Sequence, residues 1–289
     1  MRNLTYEYAT ENDGVEIAKL IENIDFKGWV SIAYCRRPNA VLSLARDGDK
    51  STFVIARNPD GKIIGVGGCT INGDVAYLTG LRAVSFVDIP RAYQLIRKFC
   101  QDNSVKLTYT TILAKNVAAR QMFEKKRPNM PYYLYHSDFN INIIRKKLPI
   151  IDKNHLQLGT DGFYILRGAS DKELARGKIL EQWDYKQYIV KKYCWQLKLL
   201  RPFISWLPEE MEVAKFFTLR HVTANDRVTL ESFLRHISWI PSQGLFFIYG
   251  GTNCPVKSFK YRSLVYIVDW DKTIDDVSKI QLDIEASDL

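Results

Sequence analysis

The first half of the chain alternates between strand-like and helix-like patterns of apolar residues. Residues 4–9 alternate polar and apolar positions as a half-buried strand does, and Thr10 and Asp13 then have the spacing of a helix-capping box. Residues 58–61 contain Pro and Gly between two apolar runs, which predicts a hairpin. In all, the pattern predicts strands at 4–9, 53–57, 62–70, 75–84 and 106–113, one long strand or a pair of strands at 132–145, and helices at 17–24, 89–101 and 117–125.

The second half carries fewer elements. Residues 152–161 are polar and rich in turn formers, so we expect a linker there. A strand is predicted at 162–168, and a helix that follows Glu181 would carry Tyr188, Ile189 and Tyr193 on its faces. Only residues 169–178 separate two strands at a point where the first half has a far longer segment with its first helices, so this half is shortened.

An internal repeat becomes visible when the chain is aligned with itself, without gaps, so that Leu81 falls on Leu219. Apolar positions coincide from one strand through a helix into the next strand. Any two strand–helix–strand units share some of this pattern, so chance similarity is the alternative. We interpret the match as a duplication that produces two related lobes. The polar and charged matches are Arg82 with Arg220, Asp88 with Asp226, and Arg97 with Arg235.

Composition is that of a globular protein. The 289 residues are 46% hydrophobic and 25% charged, which excludes a disordered or low-complexity chain. No apolar run reaches the ~20 residues that span a bilayer, and residues 1–8 do not resemble a secretory leader. We therefore expect a cytoplasmic protein without a membrane partner.

The chain carries 41 basic and 32 acidic residues, a formal charge of +9. Such an excess is compatible with nucleic acid as a partner. The basic residues, however, form short, dispersed clusters at 125–127, 145–147 and 191–192, and no nucleic-acid-binding motif accompanies them. Solvated helix ends and loops are the simpler explanation, so nucleic acid is not the partner we expect.

Cysteine and histidine spacing does not indicate a metal site or a disulfide framework. The five cysteines, Cys35, Cys69, Cys100, Cys194 and Cys254, are odd in number and far apart, and they predict reduced, mostly buried thiols. The four histidines, His136, His155, His221 and His236, have no metal-binding spacing. We expect no bound metal.

Three segments resemble motifs of the acyl-CoA-dependent N-acetyltransferases of the GNAT superfamily. Residues 65–68 read GVGG where the family often has GxG, and residues 77–83 read YLTGLRA, similar to its YLxxLRV strand. Residues 115–125 resemble its N..A...Y.K motif, with Asn116, Ala119 and Phe123 in the matching places. In the second half, residues 182–187 with Arg201-Pro202, and residues 261–266, are similar to tandem members of the superfamily.

The resemblance implies an α/β (α+β) fold of two lobes, at residues 1–150 and 161–289. Each would be a mixed, mainly antiparallel central sheet flanked by helices, with the second lobe shortened. In the family two central strands splay, and the pantetheine arm of acetyl-CoA hydrogen-bonds in the gap as an extra strand would. Here the splay would separate residues 78–84 from residues 107–112. The residues implied in binding the co-substrate are Leu81, Arg82, Ala83, Ile89, Arg91, Asn116 and Phe123.

The phosphate loop departs from the family pattern. Family members have Arg/Gln-x-x-Gly-x-Gly/Ala, whose glycines let the backbone approach the pyrophosphate at a helix start. Residues 88–93 read DIPRAY, with no glycine, an acid in the place of the usual Arg, and a proline that lacks an N–H. Arg91 is the residue that would replace the lost donors. The second lobe has Asn225 to Thr229, also without glycine.

Acetyl transfer to an amine needs a base for the amine and an acid for the departing thiolate. Asp74 and Asp88 are the candidate bases. Tyr132 and Tyr133 are the candidate acids, because the family often places a tyrosine after this short helix. The simpler roles are a turn for Asp74, helix caps for Asp88, Asp226 and Asn116, and core packing for the tyrosines. The function predicted is acetyl-CoA-dependent acylation of a primary amine on a small molecule or peptide. A catalytically degenerate GNAT-fold binding module is the alternative, and the oligomeric state, a homodimer included, stays open.

Overall fold

A computed structural model of the chain describes residues 3–23, 25–26, 30–84, 88–127, 129–204, 208–242, 244–282 and 284. Within them the chain forms sixteen strands and six α-helices. The strands are β1 (Thr5–Tyr8), β2 (Asp25–Phe26), β3 (Val30–Arg36), β4 (Lys50–Arg57), β5 (Ile63–Asn72), β6 (Val75–Ala83), β7 (Leu107–Leu113), β8 (Tyr132–Arg145), β9 (His155–Leu158), β10 (Tyr164–Arg167), β11 (Glu173–Glu181), β12 (Lys186–Tyr193), β13 (Val213–Ala214), β14 (Phe216–Ala224), β15 (Phe246–Gly250) and β16 (Phe259–Asp269). The helices are α1 (Gly14–Glu22), α2 (Ala40–Leu44), α3 (Ile89–Asp102), α4 (Val117–Glu124), α5 (Trp195–Leu200) and α6 (Arg227–Ile237), with 3-10 turns at Glu11–Asp13, Arg201–Phe203 and Val277–Lys279.

Twelve strands form one continuous sheet in the order β1-β4-β5-β6-β7-β16-β8-β15-β14-β11-β10-β9. Most pairs are antiparallel, and β6–β7 and β14–β15 are the parallel ones among the described pairs. The two lobes exchange strands at the centre, because β16 lies between β7 and β8 while β8 lies between β16 and β15. Strand β16, from the second half of the chain, therefore lies beside the β6–β7 pair, and β8, from the first half, lies beside the β14–β15 pair. The division of the chain into lobes near residues 150–161 stays a prediction, because strands from the two halves alternate at the centre of the sheet.

Helices cover one face of this sheet. In the first lobe α3 and α4 pack on it through a core that includes Leu78, Ile96, Ile112 and Phe123. In the second lobe α6 packs similarly through Phe233 and other buried residues. The opposite face is covered in the first lobe by α1 and α2 and by a second sheet in the order β13-β12-β3-β2. The fold class is thus the expected one of two α/β lobes with mainly antiparallel sheets.

Local signals in the first lobe are confirmed. Thr10 and Asp13 form the capping box ahead of α1, with the Thr10 N–H donating to Asp13 Oδ2 at 2.8 Å. Gly61 closes the hairpin with φ +80°, a conformation that glycine adopts without strain. All six predicted strands and all three predicted helices of this lobe are present, within a few residues of their predicted ends.

One expectation for the second lobe is wrong. The segment after Glu181 forms strand β12 and not a helix, because it pairs along its whole length with β3, from Lys186 opposite Arg36 to Tyr193 opposite Val30. A partner strand from the other half of the chain thus overrides local preference. Strand β9, which pairs with β10, lies within residues 152–161, and the linker expected there stays a prediction.

The two lobes share a pattern of strand, bulge and helix, at an offset that differs from the ungapped sequence match. In β6, Gly80 and Leu81 form a bulge opposite Gly67, and in β14 His221 and Val222 form one opposite Gly177. When the lobes are matched by their bulges, Gly80 corresponds to His221. When they are matched by the residue before the helix, Asp88 corresponds to Asp226. The second lobe therefore has a shorter segment between bulge and helix. The ungapped match of Arg82 with Arg220 is out of register in the strands for this reason.

Candidate active site

A wedge-shaped gap opens between the parallel strands β6 and β7. Their pairing begins with Val75 opposite Leu107 and ends with Leu78 opposite Thr110, although β6 continues to Ala83 and β7 to Leu113. We call residues 79–83 and 111–113 the two sides of the β6–β7 gap. Pairing stops on β6 where the splay is predicted, but on β7 residues 107–110 stay paired, so only the last residues of the predicted range lie beyond the pairing.

Hydroxyl groups hold the narrow end of the gap. Thr110 Oγ1 donates to the carbonyl oxygen of Leu78 at 2.9 Å, at the last paired position. On the other face of the sheet the Tyr77 hydroxyl lies 2.9 Å from Thr111 Oγ1, which is the first residue of β7 beyond the pairing. These two bonds fix the point at which the strands separate.

A bulge shapes the β6 side of the gap. Thr79 lies opposite Gly68 and Arg82 opposite Val66, so Gly80 and Leu81 together face Gly67. Gly80 has φ +64°, which a residue with a Cβ adopts only at a cost. The bulge sends Leu81 into the core beneath α3 and places Arg82 near the Tyr34 and Tyr77 rings, where burial lowers the pKa of Arg82.

Two helix starts flank the wide end of the gap. Asn116 precedes α4, and its Oδ1 accepts a bond from the Ala119 N–H at 3.2 Å, so the predicted cap is confirmed. Asp88 precedes α3, but its side chain forms no capping bond; its backbone N–H donates to the Tyr6 hydroxyl at 2.6 Å. The Arg91 side chain is exposed on the first turn of α3, and its guanidinium carbon lies 5.8 Å from the centre of the Tyr6 ring.

Most of the predicted co-substrate residues are thereby brought together. Leu81, Arg82 and Ala83 lie on the β6 side of the gap, Ile89 and Arg91 at the start of α3, and Asn116 at the start of α4. Phe123 lies two turns further along α4, about 10 Å from Asn116 at roughly 1.5 Å per residue. Its ring packs against Tyr133, with the ring centres 4.2 Å apart.

The two predicted catalytic residues lie at the other end of the strand pair. Asp74 precedes β6 in the turn, where its carboxylate is 3.0 Å from Lys106 Nζ. Tyr266 of β16 pairs with Thr110 on one side and with Tyr135 of β8 on the other, so Tyr135 lies level with the start of the gap. Tyr132 pairs with Asp269, three residues further from the gap along β16. The Tyr132 ring lies 4.9 Å from Lys126 Nζ. Both assignments stay predictions, and the structure does not bring either residue to the gap.

Tyr133, the neighbour of Tyr132, points to the helix face. Its hydroxyl is buried and forms no hydrogen bond of normal geometry with the described residues. Burial, and then the nearby Tyr93 hydroxyl, raise its pKa well above the ordinary tyrosine value, so the group stays protonated. It belongs to the same core as Leu78 and Ile112, which lie at the narrow end of the β6–β7 gap.

The opposite face of the sheet holds a cluster that sequence reasoning missed. Tyr34 of β3 and Tyr188 of β12 pack with ring centres 5.5 Å apart. Beside them, Asp47 forms ion pairs with Arg36 at 2.7 Å and Lys186 at 3.0 Å, and all three side chains are nearly fully buried. No local signal predicts this cluster, because its members come from different halves of the chain and meet only through the β3–β12 pairing.

The second lobe has a similar opening. Pairing of β14 with β15 ends at Leu219 opposite Tyr249, and β14 continues to Ala224. A cavity of about 440 Å³ lies there, lined by Val222, Tyr249 and the first turn of α6. The predicted Asp226 cap is confirmed, with the Thr229 N–H donating to its carboxylate at 2.7 Å. This lobe repeats the strand geometry, and both lobes have an acid before the helix: Asp226 caps α6 with its side chain, whereas Asp88 does not cap α3.

Metal ligands and membrane-spanning helices were sought over the same residues. In the part of the chain that the structure describes, no three His, Cys, Asp or Glu side chains converge to hold a metal ion. None of the described helices combines the length and the apolar character needed to cross a bilayer.

Comparisons by sequence find no matching protein-family model and no matching curated protein. Comparison of structures gives clear matches. A GCN5-related N-acetyltransferase from Sphaerobacter thermophilus is similar over 95% of this chain and 98% of its own, with TM-score 0.55 and 10% identity. The N-myristoyltransferase of Saccharomyces cerevisiae, solved with bound myristoyl-CoA, is similar over 93% of this chain and 83% of its own, with TM-score 0.54 and 6% identity.

A third similar structure belongs to a fungal multi-domain GH3 β-N-acetylglucosaminidase and contains a GCN5-related glucosamine N-acetyltransferase region. The match has TM-score 0.59 and 10% identity and covers 92% of this chain. Our chain spans 38% of the length of that fungal chain. At these identities the matches establish the shared fold, including the two-lobe arrangement along nearly the whole chain.

Proposed function

The chain has the fold of the GCN5-related N-acetyltransferases, and from that premise we propose that it is an acyl-CoA-dependent N-acyltransferase. We propose acetyl-CoA as the co-substrate and a primary amine of a small molecule or peptide as the acceptor. The observation that carries the proposal is the β6–β7 gap, because pairing that stops at Leu78 and Thr110 leaves two facing strand edges for an extended ligand. The five cysteines are unpaired, which supports a reducing compartment such as the cytoplasm.

The gap suits the pantetheine arm better than the helix start suits the pyrophosphate. The amide groups of pantetheine suit the backbone N–H and C=O groups that the ends of β6 and β7 turn towards each other beyond the last paired position. At the start of α3, Pro90 has no N–H and the Asp88 N–H is bonded to Tyr6. We propose that the exposed Arg91 guanidinium supplies the charge for the phosphates, with Asn116 contacting the arm from the other side.

In the reaction the amine nitrogen attacks the thioester carbonyl carbon, the C–S bond breaks, and a proton moves from the amine to solvent or a base. The thiolate that departs must accept a proton. We propose Tyr132 or Tyr133 as its donor, as the family resemblance implies; the Tyr133 hydroxyl is buried on the helix face beside the hydroxyl of Tyr93. Asp74 and Tyr132 remain predictions from the sequence, at the closed end of the strand pair.

The proposal is tested by acetyl-CoA binding and turnover. At a concentration 100 times the dissociation constant, a ligand specific for the folded chain adds ~2.7 kcal/mol to the free energy of unfolding. We expect Arg91→Ala and Asn116→Ala to reduce this stabilisation. Lys98→Ala, which removes an exposed cation from the far end of the same helix, is the matched control and leaves it unchanged. Absence of stabilisation by acetyl-CoA contradicts the proposal.

One observation favours the alternative of a non-catalytic binding module. The first turn of α3 has neither the glycines nor the full set of N–H donors that hold a pyrophosphate in the family. A module of this kind retains the gap and binds a slender ligand without releasing free CoA. Continuous measurement of thiol release from acetyl-CoA, with a panel of primary amines, separates the two functions.

A further inference from the structure

Two cysteines from different elements meet in the core beneath α3. The sulfur atoms of Cys69 in β5 and Cys100 in α3 lie 3.9 Å apart, although 31 positions separate the two residues along the chain. Both are free thiols. At this distance one thiol donates a hydrogen bond to the other sulfur, so two nucleophilic atoms already lie side by side.

The packing of α3 on β5 fixes this pair. Gly67 and Cys69 are two positions apart on a strand and therefore share a face of the sheet. Ile96 and Cys100 are four positions apart on a helix and share a face of α3. A Cβ added to Gly67 would lie 3.6 Å from Ile96 Cδ1, so the helix approaches the strand closely here. The two thiols meet because the elements that carry them are in direct contact.

The two thiols differ in acidity. A hydrogen bond from Cys69 lowers the pKa of Cys100; burial opposes this effect, and a bond from the Thr108 hydroxyl adds to the lowering. The Thr108 oxygen accepts a bond from Trp270 Nε1 at 3.0 Å, which leaves its own hydrogen for the sulfur. The hydrogen bond to Cys100, together with burial, raises the pKa of Cys69 well above the ordinary value. Cys100 is therefore the sulfur that ionises first and reacts as the nucleophile.

We propose that Cys69 and Cys100 form a peroxide-sensitive dithiol that closes to an intramolecular disulfide. The Cys100 thiolate attacks one oxygen of hydrogen peroxide, the O–O bond breaks, and a sulfenic acid forms while the departing hydroxide takes up a proton to become water. The Cys69 sulfur then attacks the sulfenic sulfur. The S–S bond forms, the S–O bond breaks, and the Cys69 proton leaves with the second water. Two thiols thus lose two electrons, and one peroxide is reduced to two waters.

Burial of the pair selects a small oxidant. Cys69 is fully buried and Cys100 is 4% exposed, which suits a molecule of the size of hydrogen peroxide and not a protein disulfide, whose sulfur must reach the attacking thiolate. Burial raises the pKa of Cys35 to about 11 and also raises the pKa of Cys254, so these thiols stay protonated and react more slowly. In a reducing compartment a disulfide of this kind is transient.

Closure of the disulfide affects the start of the β6–β7 gap. Cys69 pairs with Leu78, the last residue of β6 that pairs with β7. Leu81 of the bulge lies at the same contact, because a Cβ added to Gly67 would lie 3.7 Å from Leu81 Cδ1. A disulfide shortens the distance between the sulfur atoms from 3.9 Å to about 2 Å and so draws α3 onto β5 beside the gap. Any effect on a bound thioester rests on the proposed function, whereas formation of the disulfide does not.

The test treats the full chain with hydrogen peroxide and counts free thiols after unfolding and alkylation. We expect the count to fall from five to three, and dithiothreitol to restore it. Mass spectrometry of a digest should show one peptide pair linked through Cys69 and Cys100. Amide hydrogen exchange in residues 89–102 should slow in the oxidised chain, because α3 is tied to β5. Cys69→Ala and Cys100→Ala each abolish the link and the change in exchange.

Cys254→Ala is the matched control, because Cys254 is also buried but lies outside the pair. This variant still loses two thiols to peroxide and still forms the link. The proposal is overturned if peroxide leaves all five thiols of the parent chain free, or if it oxidises Cys100 to a sulfinic acid without a bond to Cys69. It is also overturned if the link joins other cysteines or leaves exchange in α3 unchanged. A chain that forms the link and slows exchange, but is not stabilised by acetyl-CoA, supports the dithiol and contradicts the proposed function.

Discussion

The hydroxyl of Thr110 donates to the carbonyl oxygen of Leu78 across the last paired position of two parallel strands, at 2.9 Å. Beyond these residues β6 and β7 no longer pair. The bond is buried, and its carbonyl partner lies beside the bulge that turns β6 outwards. It therefore fixes where the gap begins, and with that the depth to which an extended ligand enters the sheet.

Replacement of Thr110 by valine tests this role. Thr110→Val keeps the shape of the side chain but leaves the Leu78 carbonyl without this donor. We expect a loss of about 1 to 2 kcal/mol in the free energy of unfolding, measured with urea. The stabilisation by acetyl-CoA also decreases, because the narrow end of the gap loosens. Thr52→Val is the control, since Thr52 makes only a 3.3 Å bond to the carbonyl of the next residue; equal effects at both positions contradict the prediction.

Gly80 is expected to be irreplaceable for ligand binding. Its φ of +64° costs about 1 kcal/mol or more for a residue with a Cβ, although an added Cβ meets nothing closer than 3.5 Å. Gly61→Ala, at φ +80° in the distant hairpin, carries a similar backbone cost and is the matched control. Urea unfolding should show similar losses for both variants. Acetyl-CoA stabilisation should fall only in Gly80→Ala, because only that bulge shapes the gap.

Asp47 balances two buried cations. Asp47→Asn leaves Arg36 and Lys186 buried without their shared carboxylate, and removing one partner of a buried ion cluster typically costs about 3 to 5 kcal/mol. Asp184→Asn is the comparison, because Asp184 pairs with Arg46 at 3.0 Å where both side chains are half exposed, and it should cost less than ~1 kcal/mol. If Asp47→Asn lowers the free energy of unfolding by less than ~1 kcal/mol, the buried pairs of Asp47 with Arg36 and Lys186 do not stabilise the protein.

Acid sensitivity should depend on Asp13. Burial alone would raise the pKa of this carboxyl, but bonds from the Thr10 N–H, Arg57 and the Thr10 hydroxyl outweigh it and lower the pKa. A lowered folded-state pKa contributes stability above the unfolded value of about 3.9, and that stability is lost as pH falls through the folded-state pKa. Unfolding free energies at pH 7, 5, 4 and 3 should fall less steeply for Asp13→Asn than for the parent chain. The exposed Asp275→Asn should follow the parent.

Much of the first lobe follows from local sequence. The capping box at Thr10 and Asp13, the turn that ends at Gly61, and the order of strands and helices through α4 depend on contacts within a few residues, which periodicity and turn chemistry report directly. The resemblance also led to the right strands for the gap, and helix-capping preference led to Asn116 as a cap. For Tyr132 and Asp74 the sequence indicated a side chain of suitable chemistry but not where it lies. The strand register places both residues away from the gap.

By itself the sequence determined nine strands and helices of the first lobe and where its hairpin turns, but it did not indicate β2, β3 or α2. Tertiary structure alone decided that β8 and β16 change places between the lobes, that β12 is a strand beside β3, and that Asp47 meets Lys186. The reason is physical. A periodic pattern records which face of a segment is buried, whereas the identity of the neighbour depends on pairings between residues far apart in the chain, and these leave no mark on the local pattern.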